Sequence, residues 1–194
     1  SPPYYNPYYP LAIGNSWIYK CASKGRPFGG VVEEKITHMV KQNGYRIYTR
    51  KTEGTGTHYK VPWVDYLRID RKGEIVKSYQ RSFNPFTTHT LINTTQPKLG
   101  DEIGIGDGGI LVVKNITHFD ADASPFFALD PLDKKYNGVE VVSAMFYDAY
   151  NTNPNQDRTN GYGYSKDIGK VWFGDSLNTG CNLVGHKVKP APTR

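Results

Sequence analysis

The sequence lacks any long apolar run, and it contains few cysteines and methionines, 2 of each in 194 residues. No segment approaches the ~20 apolar residues that a membrane-spanning helix requires, and none has the charged-then-apolar order of a signal peptide. Four basic residues never follow one another, although the net charge is +6. Because nucleic-acid binding needs positive charge along a line of phosphates, we expect no nucleic-acid partner and no transmembrane segment.

The two cysteines, Cys21 and Cys181, lie near opposite ends of the chain. This spacing excludes the short cysteine pairs of zinc and redox motifs. Two interpretations stay open: two buried, unrelated thiols, or a disulfide that ties the first strand to the last. We favour the disulfide, because the chain opens with "SPPYYNPYYP" and without an initial Met, as processed secretory proteins do. The predicted localisation is extracytoplasmic: periplasmic, cell-surface or secreted.

Strand signals follow one another along the whole chain, and 15 Tyr, 8 Phe and 3 Trp suit pleated surfaces. Turn signals such as "QNG", "RKG" and "YNG" separate these strands. The stretch "GYRIYTR" (44–50) begins with the turn glycine Gly44. In the residues that follow it, alternate side chains can pack against the protein core while the others face water. The predicted strands cover residues 16–22, 30–40, 44–52, 57–70, 74–81, 89–95, 110–120, 138–150, 161–167, 169–173 and 182–188.

These signals predict a mainly β protein with a single domain. We expect an antiparallel meander sheet, curved or forming a half-barrel, with at most one or two short helices. Residues 123–135 are the best place for a helix, with Ser124 as N-cap and Pro125 at the first helical position. The predicted organisation is an extended Pro/Tyr-rich arm over residues 1–10, the β domain over 11–189 and a tail over 190–194.

Three phrases resemble a diffuse group of bacterial secreted proteins and lipoproteins. "PLAIGNSWIY" matches the opening phrase PL-x-x-GN-x-W-x-Y of that group, and "QPKLGDEIGI" resembles its mid-chain phrase P-L-x-x-GD-x-W, with Ile103 where tryptophan is usual. "YGYSKDIGKVWF" resembles its terminal phrase Y-A-x-GVG-x-V, with Lys170 in place of an apolar residue. The resemblance implies an extracytoplasmic antiparallel sheet, curved around a helix or a cleft, and no catalytic residues to carry over.

Two other motifs are typical of turns and loops rather than of ligand sites. "GIGDGG" (104–109) matches G-x-G-x-x-G, but a strand follows where a dinucleotide site needs a helix, which indicates a hairpin turn. In "NTNPNQD" oxygen-bearing side chains alternate, but a single one is charged, which favours an Asx-stabilised loop over a calcium site. The alternating residues are Asn151, Asn153, Asn155 and Asp157.

The sequence offers no recognisable catalytic or metal-binding spacing. The five histidines show no spacing typical of metal ligands. Glu33 and Glu34 are adjacent in a predicted strand and point to opposite faces, so they cannot act directly as a carboxylate pair. We therefore expect no cofactor, no metal site and no enzymatic activity.

Tyrosine abundance is the main functional signal. Tyrosine rings offer flat amphipathic area for gripping a protein or a sugar, and the alternative is that they cover the sheet's own core. We predict partner contacts along the arm and beside the 151–164 loop, at Tyr4, Tyr5, Tyr8, Tyr9, Tyr162 and Tyr164.

Two function classes remain. The leading hypothesis is a non-catalytic extracytoplasmic binding or assembly module, an accessory subunit of a cell-surface or membrane-associated complex with a protein partner. The alternative is a secreted hydrolase, or a carbohydrate-processing or carbohydrate-binding protein, whose site assembles only in the fold.

Overall fold

A computed structural model describes residues 2–23, 26–55, 62–106, 109–123, 134–147, 160–175 and 179–192. Twelve strands lie within these described residues. The strands are β1 (Ser16–Ser23), β2 (Arg26–Gln42), β3 (Tyr45–Thr55), β4 (Trp63–Ile69), β5 (Ile75–Ser78), β6 (Thr88–Ile92), β7 (Glu102–Gly106), β8 (Gly109–His118), β9 (Glu140–Tyr147), β10 (Asn160–Ser165), β11 (Gly169–Asp175) and β12 (Thr179–Lys187).

The strands form one sheet that closes into a barrel. Each strand pairs antiparallel with its neighbour in sequence, and β1 also pairs antiparallel with β12. The predicted mainly β, antiparallel meander is confirmed. The expectation of a curved sheet or half-barrel is wrong, because the pairing of the first strand with the last leaves neither as an edge with unpaired N–H and C=O groups.

Helix is scarce in the described part of the chain. It contains no α-helix, and a short 3-10 helix covers Ala121–Ala123. Residues 124–133 of the predicted 123–135 helix lie outside the described residues. No helix among the described residues has the length and apolar character needed to cross a membrane.

β7 (Glu102–Gly106) is absent from the strands predicted above. It pairs with β8 along most of its length, and it meets β6 at the single pair Thr90 and Ile105. The predicted hairpin at "GIGDGG" therefore joins two strands, with residues 107–108 outside the described part. Gly104 faces the main-chain oxygen of Thr90 so closely that a side chain there would collide with it.

A disulfide bond joins Cys21 and Cys181 across the line where the barrel closes. Cys21 on β1 lies directly opposite Cys181 on β12 in the strand register, and their Cα atoms are 4.1 Å apart. Both side chains are buried on the inner wall. The first and last strands are therefore linked by a covalent bond as well as by backbone hydrogen bonds.

The N-terminal segment lies across one end of the barrel. The Asn6 side-chain amide donates hydrogen bonds to the carbonyls of Gly73 and Thr94, at 2.8 and 3.0 Å. The Asp167 N–H donates to the carbonyl of Pro7 at 2.7 Å. These contacts tie the segment to the β4–β5, β6–β7 and β10–β11 connections, which lie at the same end of an up-and-down barrel as the start of β1.

Candidate functional site

A cluster of four charged side chains lies on the inner wall of the barrel. Glu34 comes from β2, Arg50 from β3, Asp65 from β4 and Lys170 from β11, and none is more than 6% exposed. Charged groups withdrawn this far from water need partners of opposite charge. The cluster is the largest concentration of buried ionisable chemistry in the described part of the chain.

Arg50 binds both carboxylates of the cluster. Its Nε and Nη2 atoms donate to the two oxygens of Asp65 at 2.9 and 2.6 Å, which is the bidentate geometry that suits guanidinium and carboxylate groups. Its Nη1 atom lies 3.5 Å from Glu34 Oε2. Lys170 Nζ donates to the other Glu34 oxygen at 2.8 Å. Two cations and two carboxylates therefore neutralise one another.

Strand alternation and a β-bulge place these side chains inside. Arg50 is paired with Asp65 in the β3–β4 register, so both point the same way. The register shifts between Gly163 and Tyr164, and this bulge sets Lys170 opposite the buried Tyr164. Val171 is the extra residue of β11 at this bulge. Because residues directly opposite each other in a sheet point to the same face, Lys170 faces the interior with Tyr164.

Three buried tyrosines surround the cluster. The Tyr9 hydroxyl accepts a 2.8 Å hydrogen bond from Arg50 Nη1, and its ring stacks on Trp17 with the ring centroids 5.3 Å apart. The Tyr19 hydroxyl donates to the carbonyl of Lys170 at 2.8 Å. Burial raises the pKa of Tyr9, Tyr19 and Tyr164 well above the usual tyrosine value. These phenols therefore stay protonated and serve as hydrogen-bonding groups.

Lys170 is the basic group of the cluster whose pKa is lowered, whereas the pKa of Arg50 is raised well above its usual value. Burial lowers the pKa of Lys170 to about 8, the Glu34 carboxylate opposes this change, and Arg50 lowers the pKa further. The ammonium also lies 4.2 Å from the centre of the Phe173 ring, a cation–π contact. Burial alone would raise the pKa of Glu34, but Lys170 and Arg50 hold it below the usual value. The pair is ionised at neutral pH.

The cavity beside Lys170 is small. About 20 Å³ of space lies between Arg50, Lys77, Lys170, Tyr9 and Tyr164. That volume admits water, whereas pockets for small-molecule ligands usually measure about 300–1,000 Å³. Among the described residues, the charge pairs of the cluster join strands β2, β3, β4 and β11.

A larger groove lies on the outer surface of the barrel. Its volume is about 400 Å³, within the range of ligand sites. His38 pairs with Thr49 and Val40 with Ile47 across β2 and β3, so these four side chains share the outer face of the sheet. The lining includes His38, Val40, Ile47, Thr49, Tyr66 and Arg81.

The β5–β6 connection, residues 79–87, forms one wall of this groove. Its turns are fixed by side-chain hydrogen bonds: Gln80 N–H donates to Ser78 Oγ at 3.1 Å, and Phe86 N–H donates to Asn84 Oδ1 at 2.9 Å. The connection also packs on the outer face of β4, where the Arg81 guanidinium lies 5.7 Å from the centre of the Tyr66 ring. The wall is therefore ordered by local hydrogen bonds, and it contacts β4 through Arg81 and through Phe83, whose ring centre lies 4.9 Å from the Arg68 guanidinium.

The predicted tyrosine contacts lie in different environments. Tyr9 and Tyr164 are each 1% exposed and belong to the core, and Tyr5 is 8% exposed with its hydroxyl donating to Asp167. The partly buried members are Tyr4, Tyr8 and Tyr162. Water reaches more of the side chain in these three tyrosines than in Tyr5, Tyr9 and Tyr164. Partner binding by the six tyrosines stays a prediction.

The structure also locates the adjacent glutamates and leaves the predicted Asn/Asp loop outside the described residues. Glu33 is exposed while Glu34 is buried, so the two point to opposite faces as expected. The alternating Asn/Asp residues of "NTNPNQD", and residues 151–159 of the predicted contact loop, lie outside the described residues. Within the described ranges, no three His, Cys, Asp or Glu side chains are grouped so that they could hold a metal ion.

Sequence reasoning missed the charged cluster and the outer groove. The alternation in "GYRIYTR" was visible, but it did not say that the face of Tyr48 and Arg50 would be the inner one. One sequence signal for a buried charge was available: Lys170 stands where the terminal phrase of the resembling proteins has an apolar residue. The groove depends on how residues 79–87 fold back on β4, which has no local signature.

Neither a family model nor a curated protein matches this sequence. Two crystal structures are similar in fold. A candidate lipoprotein from Parabacteroides distasonis has 10% identity, and the match covers 96% of this chain and 100% of that chain with a TM-score of 0.51. A candidate exported protein with a YmcC-like fold from Bacteroides fragilis has 8% identity, and the match covers 93% and 98% with a TM-score of 0.52. At such low identity, the likeness shows that this chain shares their fold.

Proposed function

We propose that this protein is a non-catalytic, extracytoplasmic binding module. The observation that carries this proposal is the outer groove, which offers about 400 Å³ beside a wall fixed by hydrogen bonds. Binding sites are commonly loops positioned by a rigid scaffold. Here the scaffold is a closed barrel, and the loop is the β5–β6 connection.

Two observations support an extracytoplasmic location. Disulfides persist in oxidising compartments, and Cys21 and Cys181 form one at the closure of the barrel. The fold is also shared with a candidate lipoprotein and a candidate exported protein.

The pairing of the buried charges supports a non-catalytic role. Catalytic groups need access to a substrate, whereas Lys170 and Arg50 are engaged by Glu34 and Asp65 beside a cavity of about 20 Å³. The barrel therefore presents its recognition chemistry on the outside. As part of this proposal, the protein serves as an accessory subunit of a surface complex. Tyr4 and Tyr8, at the barrel end that the N-terminal segment crosses, supply additional contacts to that complex.

A secreted hydrolase or carbohydrate-processing enzyme is the second candidate. The observation in its favour is the lowered pKa of Lys170 beside a cavity, because perturbed pKa values concentrate at functional sites. Incubation of the wild-type protein with oligosaccharides and short peptides, followed by mass spectrometry, tests this candidate. Product formation by the wild-type protein would overturn the binding-module proposal, and its loss in Lys170→Met protein that is still folded by circular dichroism would assign the activity to the cluster.

Chemical-shift mapping tests the groove itself. Isotope-labelled protein is titrated with a panel of short peptides and oligosaccharides, and we expect amide shifts to concentrate around Val40, Ile47 and Tyr66. Val40 is 55% exposed, so Val40→Trp fills the groove without disturbing the core. Ile116→Trp on β8 is the matched control, since Ile116 is 40% exposed on a distant part of the wall. Ligand shifts that cluster elsewhere and ignore Val40→Trp would contradict the proposal.

The compartment has its own test. Cell fractionation followed by thiol alkylation in denaturant is expected to recover the protein outside the cytoplasm. Because the denaturant exposes the buried Cys21 and Cys181, their resistance to alkylation until a reductant is added reports the disulfide. Recovery in the cytoplasmic fraction with both thiols free would contradict the extracytoplasmic assignment. This outcome would leave the groove experiment unaffected.

A further inference from the structure

We propose that the outer groove binds an extended acidic peptide segment of a partner protein, in which Asp or Glu adjoins an aliphatic residue. This inference rests on the proposed function, because it names the ligand of the same groove. It is carried by the charge and shape of the lining residues.

The groove carries positive charge, and its described lining includes no neutralising carboxylate. Lys41 and Arg81 contribute cations, His38 adds an imidazole ring, and none of the described lining residues is Asp or Glu. Glu53, an acid farther along β3, is engaged by Lys51 at 2.7 Å. With a net charge of +6 on the whole chain, a negatively charged partner is attracted at long range and matched at the groove.

Arg81 is the best-placed anion receptor of the groove. Its side chain is exposed and its guanidinium lies over the Tyr66 ring, with 5.7 Å between the guanidinium carbon and the ring centre. Stacking of this kind limits the conformations of the arginine, so less freedom is lost when it binds. Arg81 makes no ion pair with a carboxylate of the described residues, unlike Arg50. Its donors can therefore form a bidentate contact with a carboxylate ligand.

The floor of the groove favours an aliphatic side chain beside that carboxylate. Val40 is 55% exposed, and it lies next to Ile47 across β2 and β3. Ile47 is already 9% exposed, so the apolar surface that a peptide side chain can remove from water is mainly that of Val40. An acidic residue with a Val, Leu or Ile neighbour satisfies both parts of the groove.

The same geometry disfavours a sugar as the occupant. Proteins commonly hold sugars on the open face of an aromatic ring. The Tyr66 ring lies beneath the Arg81 guanidinium, and the remaining floor at Val40 and Ile47 is aliphatic. The lining therefore offers a carboxylate receptor and an aliphatic surface in place of a stacking platform.

Defined pentapeptides provide the test. The probes are N-acetylated, C-amidated Val-Leu-Glu-Val-Leu and Val-Leu-Asp-Val-Leu, their Gln and Asn counterparts, and a tetramer of galacturonic acid as the anionic sugar. We expect the acidic peptides to shift groove amides, and the amide counterparts to bind roughly tenfold more weakly, as loss of a charged hydrogen bond predicts. Affinity should fall at high salt, because the contact is near the surface.

Variants locate the interaction. Arg81→Gln should weaken acidic-peptide binding roughly tenfold. Arg71→Gln, which removes the same charge from an exposed turn between β4 and β5, should leave the affinity unchanged. Val40→Glu places a carboxylate in the groove beside the cations and should abolish binding of the acidic peptides. All three positions are exposed, so the folded barrel is retained.

Each result decides between the proposals. Equal binding of acidic and amide peptides, equal effects of Arg81→Gln and Arg71→Gln, or no binding of either acidic peptide would overturn the inference. Preferential binding of the galacturonic acid tetramer in the groove would overturn it while leaving the groove as a binding site. Binding of every probe away from the groove would instead overturn the proposed function.

Discussion

Lys170 donates a 2.8 Å hydrogen bond to Glu34 inside the barrel, although the two residues are 136 positions apart in the chain. Lys170 lies on β11 and Glu34 on β2, so the contact passes across β1 and β12, the strands that close the barrel. The disulfide between Cys21 and Cys181 joins these same two strands. The closure is therefore held by backbone pairing, a covalent bond and a buried ion pair.

Removal of the disulfide should destabilise the barrel without opening it. Replacing both Cys21 and Cys181 with alanine is expected to lower the free energy of unfolding by about 4 kcal/mol, because the bond restricts a long loop in the unfolded chain. The β1–β12 hydrogen bonds remain, so the far-ultraviolet circular dichroism spectrum should be unchanged. Urea unfolding of the double variant and the wild type measures the difference. Equal midpoints would contradict the structural role of the bond.

The Glu34–Lys170 pair should show strong coupling in a double-mutant cycle. Lys170→Met alone is expected to cost about 3–5 kcal/mol, because it leaves a buried carboxylate short of a partner. The double variant with Glu34→Gln should recover a large part of this loss, because neither charge is then buried alone. Urea unfolding of the four proteins gives the coupling energy. If the stability loss of the double variant equals the sum of the losses in the two single variants, the pair does not interact.

Stability should rise with pH above about pH 8 because of Lys170. The folded pKa is about 8 and the usual lysine value is 10.5, so the unfolded chain binds the additional proton between these values. Since the unfolded state then binds more protons, the free energy of unfolding increases with pH. Below about pH 8 Lys170 is protonated in both the folded and the unfolded chain, so its contribution to the free energy of unfolding does not change with pH.

The double variant of Glu34 and Lys170 provides the reference for this pH test. The stability of the wild type relative to that variant should increase from about pH 8 to pH 9.5. Both proteins contain the same tyrosines, so tyrosine ionisation near the upper end of this range affects them alike. Urea unfolding at each pH measures it. A pH-independent difference would mean that Lys170 titrates alike in the folded and unfolded chains.

The Tyr9 hydroxyl should contribute to stability through Arg50. Tyr9→Phe keeps the ring that stacks on Trp17 but removes the acceptor of the 2.8 Å hydrogen bond from Arg50. We expect a loss of about 1–3 kcal/mol, because a buried charged donor loses a partner. Tyr8→Phe is the matched control, since Tyr8 is only partly buried at the barrel end. Equal unfolding midpoints for the two variants would contradict this assignment.

The sequence predicted the mainly β, antiparallel character because strand alternation and turn residues are local signals. Glycine-containing turns and runs rich in Tyr, Val and Ile specify extended segments whatever the rest of the chain does. The opposite orientation of Glu33 and Glu34 follows from the same period of two. These features need no knowledge of distant residues.

Closure of the barrel was decided by tertiary structure, and β7 shows why. Without Glu102–Gly106 the predicted meander has eleven strands, so its first and last strands would run in the same direction. The glycines of β7 give a weak strand signal, because glycine is depleted in strands. With β7 included, β1 and β12 run in opposite directions and can pair as the observed antiparallel neighbours.

The inner face and the groove were also decided only in three dimensions. Alternation in "GYRIYTR" fixes two faces, but closure of the sheet determines that Tyr48 and Arg50 face inward, and Arg50 is tolerated there because Asp65 and Glu34 neutralise it. The sequence by itself determined the strands and turns, whose causes lie within a few residues. Tertiary structure determined closure, the buried charges and the outer groove, because each depends on contacts between residues from different strands.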